Sequence, residues 1–251
     1  VEHARERVAN AREKMPLEEI RAPALAMALP ASGDSFAFEK SLRKPGISFI
    51  CECKKAAPSK GLIAPDFPYL QIAREYEAAG ADCISVLTEP KWFLGSDIYL
   101  REIADTVTIP CLRKDFTVDE YMIYEAKTLG ASAVLLICSL LDEARIAKYL
   151  DICHRLGLSA LVEAHDTAEV KSALSAGAHI IGVNNRNLKD FSVDTGNSRK
   201  LRELIPPGVL FVSESGVSCP EDVAKLREIG ADAVLVGEAL MRAADKKARL
   251  R

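Results

Sequence analysis

From Gly46 onward the chain alternates between two kinds of segment. Short runs of aliphatic and β-branched residues begin near Ile47, Asp82, Ile109, Ala133, Ser159, His179, Val209 and Ala233. Each is followed by a longer stretch with apolar positions at helical spacing, and the units repeat roughly every 20 to 35 residues. Several runs are preceded by the same punctuation: Ala79-Gly80-Ala81-Asp82, Leu129-Gly130-Ala131, Ala176-Gly177-Ala178 and Ile229-Gly230-Ala231-Asp232. Glycine there supplies a left-handed helix C-cap, and the small residue after it starts a strand. Thr117-Val-Asp-Glu120, Asp142-Glu143, Thr167-Ala-Glu169 and Cys219-Pro220-Glu221-Asp222 signal helix starts. Eight such units leave two α/β architectures, a closed barrel or an open doubly wound sheet. No G-x-G-x-x-G follows the first run and no G-x-x-x-x-G-K-[ST] occurs. Eight units of similar length favour a (β/α)8 TIM barrel.

The first 45 residues break the rhythm. Val1 to Lys14 is a charged helical stretch, after which Pro16, Pro23 and Pro30 interrupt an apolar segment holding Leu25, Met27 and Leu29. Phe36 and Phe38 precede a turn at Lys44-Pro45-Gly46. Residues 1–45 read as a helical extension that caps part of one barrel domain spanning 1–251. Because the chain opens on Val1, native residues are expected to precede it.

Composition narrows the partners. Of 251 residues, 49% are apolar and 27% charged, enough for a large core, with 14 glycines and 12 prolines, too few for a disordered chain. Acidic residues outnumber basic ones, 36 to 33, and the basic ones are scattered, which argues against nucleic acid or an anionic membrane surface as partner. Apolar runs such as Ala133 to Cys138 are too short to span a bilayer. The seven cysteines form no C-x-x-C, and no secretory apolar stretch opens the chain, so reduced core cysteines in a cytoplasmic protein are expected.

Charge changes the picture at one end of the strands. A parallel strand covered on both faces should be apolar throughout. Here the runs end in Glu52-Cys-Lys54, Arg113-Lys114-Asp115, Glu163, Asn184-Asn-Arg186 and Glu214-Ser215-Gly216. Isolated buried ions cost several kcal/mol each. Ionic groups on five strand ends therefore imply one shared site, at the barrel face where active sites form. Three carboxylates (Glu52, Glu163, Glu214) against three cations (Lys54, Lys114, Arg186) push pKa values apart and suit proton transfer better than simple anion holding.

Other features surround that face. Gly216 after the seventh run, and Gly237-Glu238 after the eighth, mark where such barrels commonly hold phosphate. The Pro- and Lys-rich segment Lys54 to Asp66 suggests a mobile flap over an anion; a solvated surface loop is the alternative. Trp92 and Phe93, with Phe116, Leu135 and Ile137, suit an apolar slot for an aromatic ring. Packing beneath the N-terminal segment would account for the same aromatics equally well. The histidines are scattered and His165 reads as structural, so no metal is expected.

The run Glu52-Cys-Lys54-Lys-Ala-Ala-Pro58-Ser59-Lys-Gly61 resembles the E-x-K-x-x-S-P-S-x-G signature of the indole-3-glycerol-phosphate synthase family of tryptophan biosynthesis. The resemblance continues through Ser85 to Ser96, Leu112 to Phe116, Ala133 to Ile137, Leu161 to Glu163, Ile181 to Arg186, Ser213 to Gly216 and Leu235 to Met241. It implies a barrel with an N-terminal helical extension and a carboxy-lyase that needs no cofactor. The implied reaction closes 1-(2-carboxyphenylamino)-1-deoxyribulose 5-phosphate to indole-3-glycerol phosphate. By the same resemblance Lys114 is the general acid, Glu163 the base or charge stabiliser, and Lys54 the anion holder and second proton donor. Glu52, Asn184, Glu214 and Ser215 orient these groups, while Ser59, Arg186, Gly216, Gly237 and Glu238 bind substrate and phosphate. One departure is Ala57, where the family has serine. A monomer is expected, and the sequence leaves open a fusion to or association with other tryptophan-pathway enzymes. Two rival readings are a different sugar-phosphate enzyme, such as an aldolase with Lys114 as nucleophile, and a barrel that binds without turnover.

Overall fold

The computed structural model describes residues 1–27, 35–187, 191–243 and 245–250; Leu29 and Pro30 lie outside the described residues. In chain order the strands are β1 (Ser48–Cys53), β2 (Ala56–Ala57), β3 (Gly61–Leu62), β4 (Cys83–Leu87), β5 (Cys111–Lys114), β6 (Ala133–Ile137), β7 (Ser159–Ala164), β8 (Ile180–Asn184), β9 (Leu210–Glu214) and β10 (Ala233–Val236). Among the described residues eight of them, β1 and β4 to β10, run parallel and close when β1 pairs with both β4 and β10. This is the (β/α)8 TIM barrel, with strands where the apolar runs predict them.

The helices are α1 (Glu2–Lys14), α2 (Leu17–Ala26), α3 (Ala37–Leu42), α4 (Tyr69–Ala79), α5 (Asp97–Thr106), α6 (Tyr121–Thr128), α7 (Glu143–Arg155), α8 (Thr167–Ser175), α9 (Gly196–Arg202), α10 (Pro220–Glu228), α11 (Glu238–Met241) and α12 (Lys246–Leu250). Asp142 and Asp166 cap α7 and α8 through their carboxylates, and Gly80 ends α4 at φ 100°. None of the described helices is long and apolar enough to cross a membrane.

The extension divides its work. In α3, Phe38 and Leu42 are wholly buried among Ile50, Leu112, Leu161 and Val212, plugging the barrel interior. Helix α2 packs against α6. Pro23 does not interrupt it, contrary to the sequence expectation; the helix runs through to Ala26. Glu19, whose carbonyl loses its partner to the proline, is an exposed residue, so little is lost. Strands β2 and β3 form a small hairpin in the segment expected as a loose flap, and Ala56 N–H ties it to the carbonyl of Phe93.

Two-residue periodicity positions the charges. Ile50, Leu112, Leu161, Ile180 and Val212 point into the barrel, whereas Cys51, Val162, Ile181 and Phe211 face the helices. Two residues beyond an inward position lies another inward position. Glu52, Lys114, Glu163 and Glu214 each occupy that next step, forming the top layer of the interior.

Candidate active site

That top layer floors an open cavity of about 1380 Å³. Lys114 Nζ lies 3.2 Å from Glu163 Oε2 and 3.4 Å from Glu214 Oε2, bridging strands β5, β7 and β9. Lys54 Nζ lies 2.6 Å from Glu52 Oε1, and Ser85 Oγ donates to the other Glu52 oxygen at 3.4 Å. Asn184 Nδ2 donates to Glu163 Oε1 at 3.2 Å. All three carboxylates are buried.

Burial opposes the charge on Lys114, but Glu163, Glu214 and Glu52 outweigh it and hold the ammonium well above the ordinary lysine range. Burial likewise works against Glu52 and Glu163, yet both stay below the usual carboxylate range. Lys54 and Lys114 secure Glu52; Lys114 and then His165 secure Glu163. Glu214 goes the other way. Its burial, with Glu163 and Glu52 nearby, overcomes Lys114 and pushes it up to about 7. One site thus holds carboxylates tuned apart, a pattern of acid–base chemistry.

This tuning has a consequence for stability. A carboxyl raised from its ordinary 4.5 to about 7 holds its proton more tightly folded than unfolded. Its contribution therefore declines as pH rises through that window and is flat above it. Glu214→Gln is expected to gain stability over the unmodified chain between about pH 5 and about pH 8. Urea unfolding of both proteins at the two pH values checks the sign.

The rim supplies the rest. Ser59, Trp92, Phe93, Phe116, Leu135, Arg186, Gly216, Gly237 and Glu238 all line the cavity, whereas Ile137 does not. Ile137 is buried with Leu135 in the barrel interior. The rings of Phe93 and Phe116 stand 6.3 Å apart, and Trp92 is 52% exposed. At the opposite side Ser215 and Gly216 both have positive φ, 65° and 95°. A Cβ on Gly216 would lie 2.7 Å from Thr195 Cγ2 and 2.9 Å from Val193 Cγ1, at a φ that side chains rarely adopt, so this position favours glycine. A Cβ on Gly237 would lie 2.6 Å from Glu52 Oε1 and 2.8 Å from Lys54 Nζ. Those are flexible side-chain ends, so Gly237→Ala should fold but displace the pair. Expected is a 10- to 100-fold loss in kcat/KM, on the order a roughly 1 Å misplacement causes. The melting temperature should move by less than about 4 °C.

Several contributors escape the sequence reading. Gly182 faces Glu214, whose Oε1 would lie 2.1 Å from any added Cβ. Asn185 Nδ2 donates to the carbonyl of Ser215 at 3.0 Å and to Ser213 Oγ at 3.1 Å, fixing the turn before Gly216. From α1, Arg7 grips Asp115 at 2.6 and 3.1 Å, next to Lys114. His3 sits 3.3 Å from Glu89, whose carboxylate accepts the N–H groups of Lys91, Trp92 and Phe93. The aromatic wall is therefore both cavity lining and anchored by the N-terminal helix. His165, read as structural, stands 3.4 Å behind Glu163.

Comparison with known proteins places the chain in a family. Residues 1–251 match the sequence model of the family described as indole-3-glycerol phosphate synthase. The indole-3-glycerol phosphate synthase of Ruminiclostridium cellulolyticum is 60% identical over 215 residues, 86% of this chain and 83% of that one. The protein of the same name from Lachnoclostridium phytofermentans is 50% identical over 259 residues, covering 100% of this chain and 96% of its own. The solved 3-hexulose-6-phosphate synthase of Salmonella typhimurium superposes with a TM-score of 0.67 at 15% identity, over 82% of this chain and 95% of that one. That likeness concerns the barrel alone. On the full-length family match and the identity of these relatives, the chain belongs to the indole-3-glycerol phosphate synthase family, enzymes of the carboxy-lyase class.

Proposed function

We propose that the cavity closes the indole ring of 1-(2-carboxyphenylamino)-1-deoxyribulose 5-phosphate, releasing carbon dioxide and water. The observation that carries this reading is Lys114, an ammonium on the cavity floor with its side chain 15% exposed, set 3.2 Å and 3.4 Å from two carboxylates of opposite tuning. The ring carbon bearing the carboxylate attacks the ketone carbon. Lys114 gives its proton to the ketone oxygen, which becomes a hydroxyl. An oxygen turning into alkoxide is a stronger base than an amine, so even a tightly held ammonium proton transfers to it.

The anilino nitrogen feeds the attack with its electron pair and gains positive charge. Glu163 faces that charge as base or stabiliser. Carbon dioxide leaves, its bonding pair returns to the ring, and Lys114 recovers a proton from solvent. Loss of the new hydroxyl as water then takes a proton from Lys54, while the adjacent methylene gives one up to solvent, from which Lys54 is reprotonated. Glu52 holds Lys54 for this step, Asn184 holds Glu163, and Glu214 shares Lys114.

The remaining lining matches the two ends of the substrate. Trp92, Phe93, Phe116 and Leu135 take the aromatic ring. Arg186, Ser59 and the backbone around Ser215-Gly216 and Gly237-Glu238 take the phosphate. Adding the substrate and following indole fluorescence tests the reading. A rise is expected, and its absence would overturn the assignment. Borohydride should trap no adduct on Lys114; a covalent adduct would favour an aldolase-type nucleophile instead.

A further inference from the structure

Glu163 is approached from two sides. On the cavity side stands Lys114, 3.2 Å from Oε2; on the far side His165 Nε2 lies 3.4 Å from Oε1. His165 is itself fixed by α8. Its Nδ1 lies 3.1 Å from Glu169 Oε2, and its backbone N–H donates to that oxygen at 2.7 Å. From α9, Asn197 Nδ2 donates to the His165 carbonyl at 3.0 Å. The ring does not line the cavity, so it acts through Glu163 and not on a ligand.

Building on the ring-closure reading, we propose that His165, anchored by Glu169, is a positioning residue that fixes the Glu163 carboxylate and keeps it ionised while Lys114 turns to the ketone. With Nδ1–H directed at Glu169, a neutral ring would aim the Nε2 lone pair at a carboxylate oxygen. That nitrogen is buried, makes no hydrogen bond of normal length, and has the Glu163 carboxylate oxygen 3.4 Å away, which repels a lone pair and attracts an imidazolium. The charged groups around it are Glu163 on β7, Glu169 on α8 and Glu214 on β9, with Lys114 beyond Glu163 and the exposed Asp166 capping α8. Burial disfavours the imidazolium, but these carboxylates outweigh it and raise the ring above the ordinary histidine range. When Lys114 engages substrate, Glu163 loses its nearest cation. His165 and the Asn184 hydrogen bond remain to hold it in place.

The test measures kcat, KM and the pH profile of kcat for His165→Ala, His165→Gln and Glu169→Gln beside the unmodified enzyme. Both His165 variants should lose roughly 10-fold in kcat, the lower end of what losing an orienting partner removes. KM should stay nearly constant. Losing a cation raises the pKa of Glu163, so the acid limb should move up by about one pH unit. Glu169→Gln should change both quantities in the same direction by less. If His165→Ala fails to fold, the two glutamine variants decide by the same criteria. Unaltered kcat and acid limb, or a change confined to KM, would overturn the proposal. An unmodified enzyme that does not turn the substrate over would instead overturn the ring-closure reading, so the two failures are distinguishable.

Discussion

Replacing Lys114 with methionine is expected to lower kcat by about 10²–10⁴-fold, the range that removal of a general acid produces. Methionine keeps most of the buried stem, so packing is retained while the proton is lost. Lys114 is the cation shared by Glu163 and Glu214, and its removal would leave two carboxylates face to face. Glu214 is already pushed up to about 7, so it takes up a proton at neutral pH and relieves the repulsion. The variant should therefore fold with a normal circular dichroism spectrum and bind phosphorylated substrate. An unchanged kcat in a folded variant would remove Lys114 from the acid role.

Glu163→Gln is expected to lower kcat by about 10²-fold or more, the loss seen when one preorganised electrostatic partner of a transition state is removed. Glutamine retains the shape and still accepts the Asn184 hydrogen bond, but it carries no charge toward the ring nitrogen. KM should change little, because the effect belongs to charge that develops during the reaction and not to ground-state binding. Steady-state kinetics separate these outcomes. A rise in KM with kcat preserved would show Glu163 to be a binding group instead.

The fold is largely legible because parallel strands and helix caps write themselves locally. The apolar runs beginning at Ala133, Ser159 and Ala233 start the strands where expected, and the strand-end charges converge because inward positions recur every second residue. Contacts between distant segments leave no such local trace. Arg7 meets Asp115 across 108 residues, and neither residue type signals the other. Gly182 reads as an ordinary small strand residue until Glu214 is placed above it. His165 is ambiguous for a different reason: Glu163 and Glu169 are both near it in sequence, but only the turn from β7 into α8 sets the ring between them. The hairpin of β2 and β3 is too short to show a period. Pro23 misleads because its helix continues on an exposed side.

Arg113 and Lys114 illustrate how one residue of register separates structure from chemistry. Arg113 points outward, where it pairs with Asp97 and Glu125 at 2.7 Å and hydrogen-bonds Thr88, which in turn donates to Asp115. Lys114 points inward to the cavity. Two adjacent cations thus serve opposite purposes, the first holding the helix layer to the barrel and the second facing the cavity.

The most direct measurement supplies substrate labelled at the carboxyl carbon to the unmodified chain and to Lys114→Met, and counts labelled carbon dioxide against indole formed. The expected result is one carbon dioxide released per indole in the unmodified chain, with both falling together in the variant. Undiminished release of both products by Lys114→Met, or none by the unmodified chain, would contradict the view that these strand-end charges act as one ring-closing site.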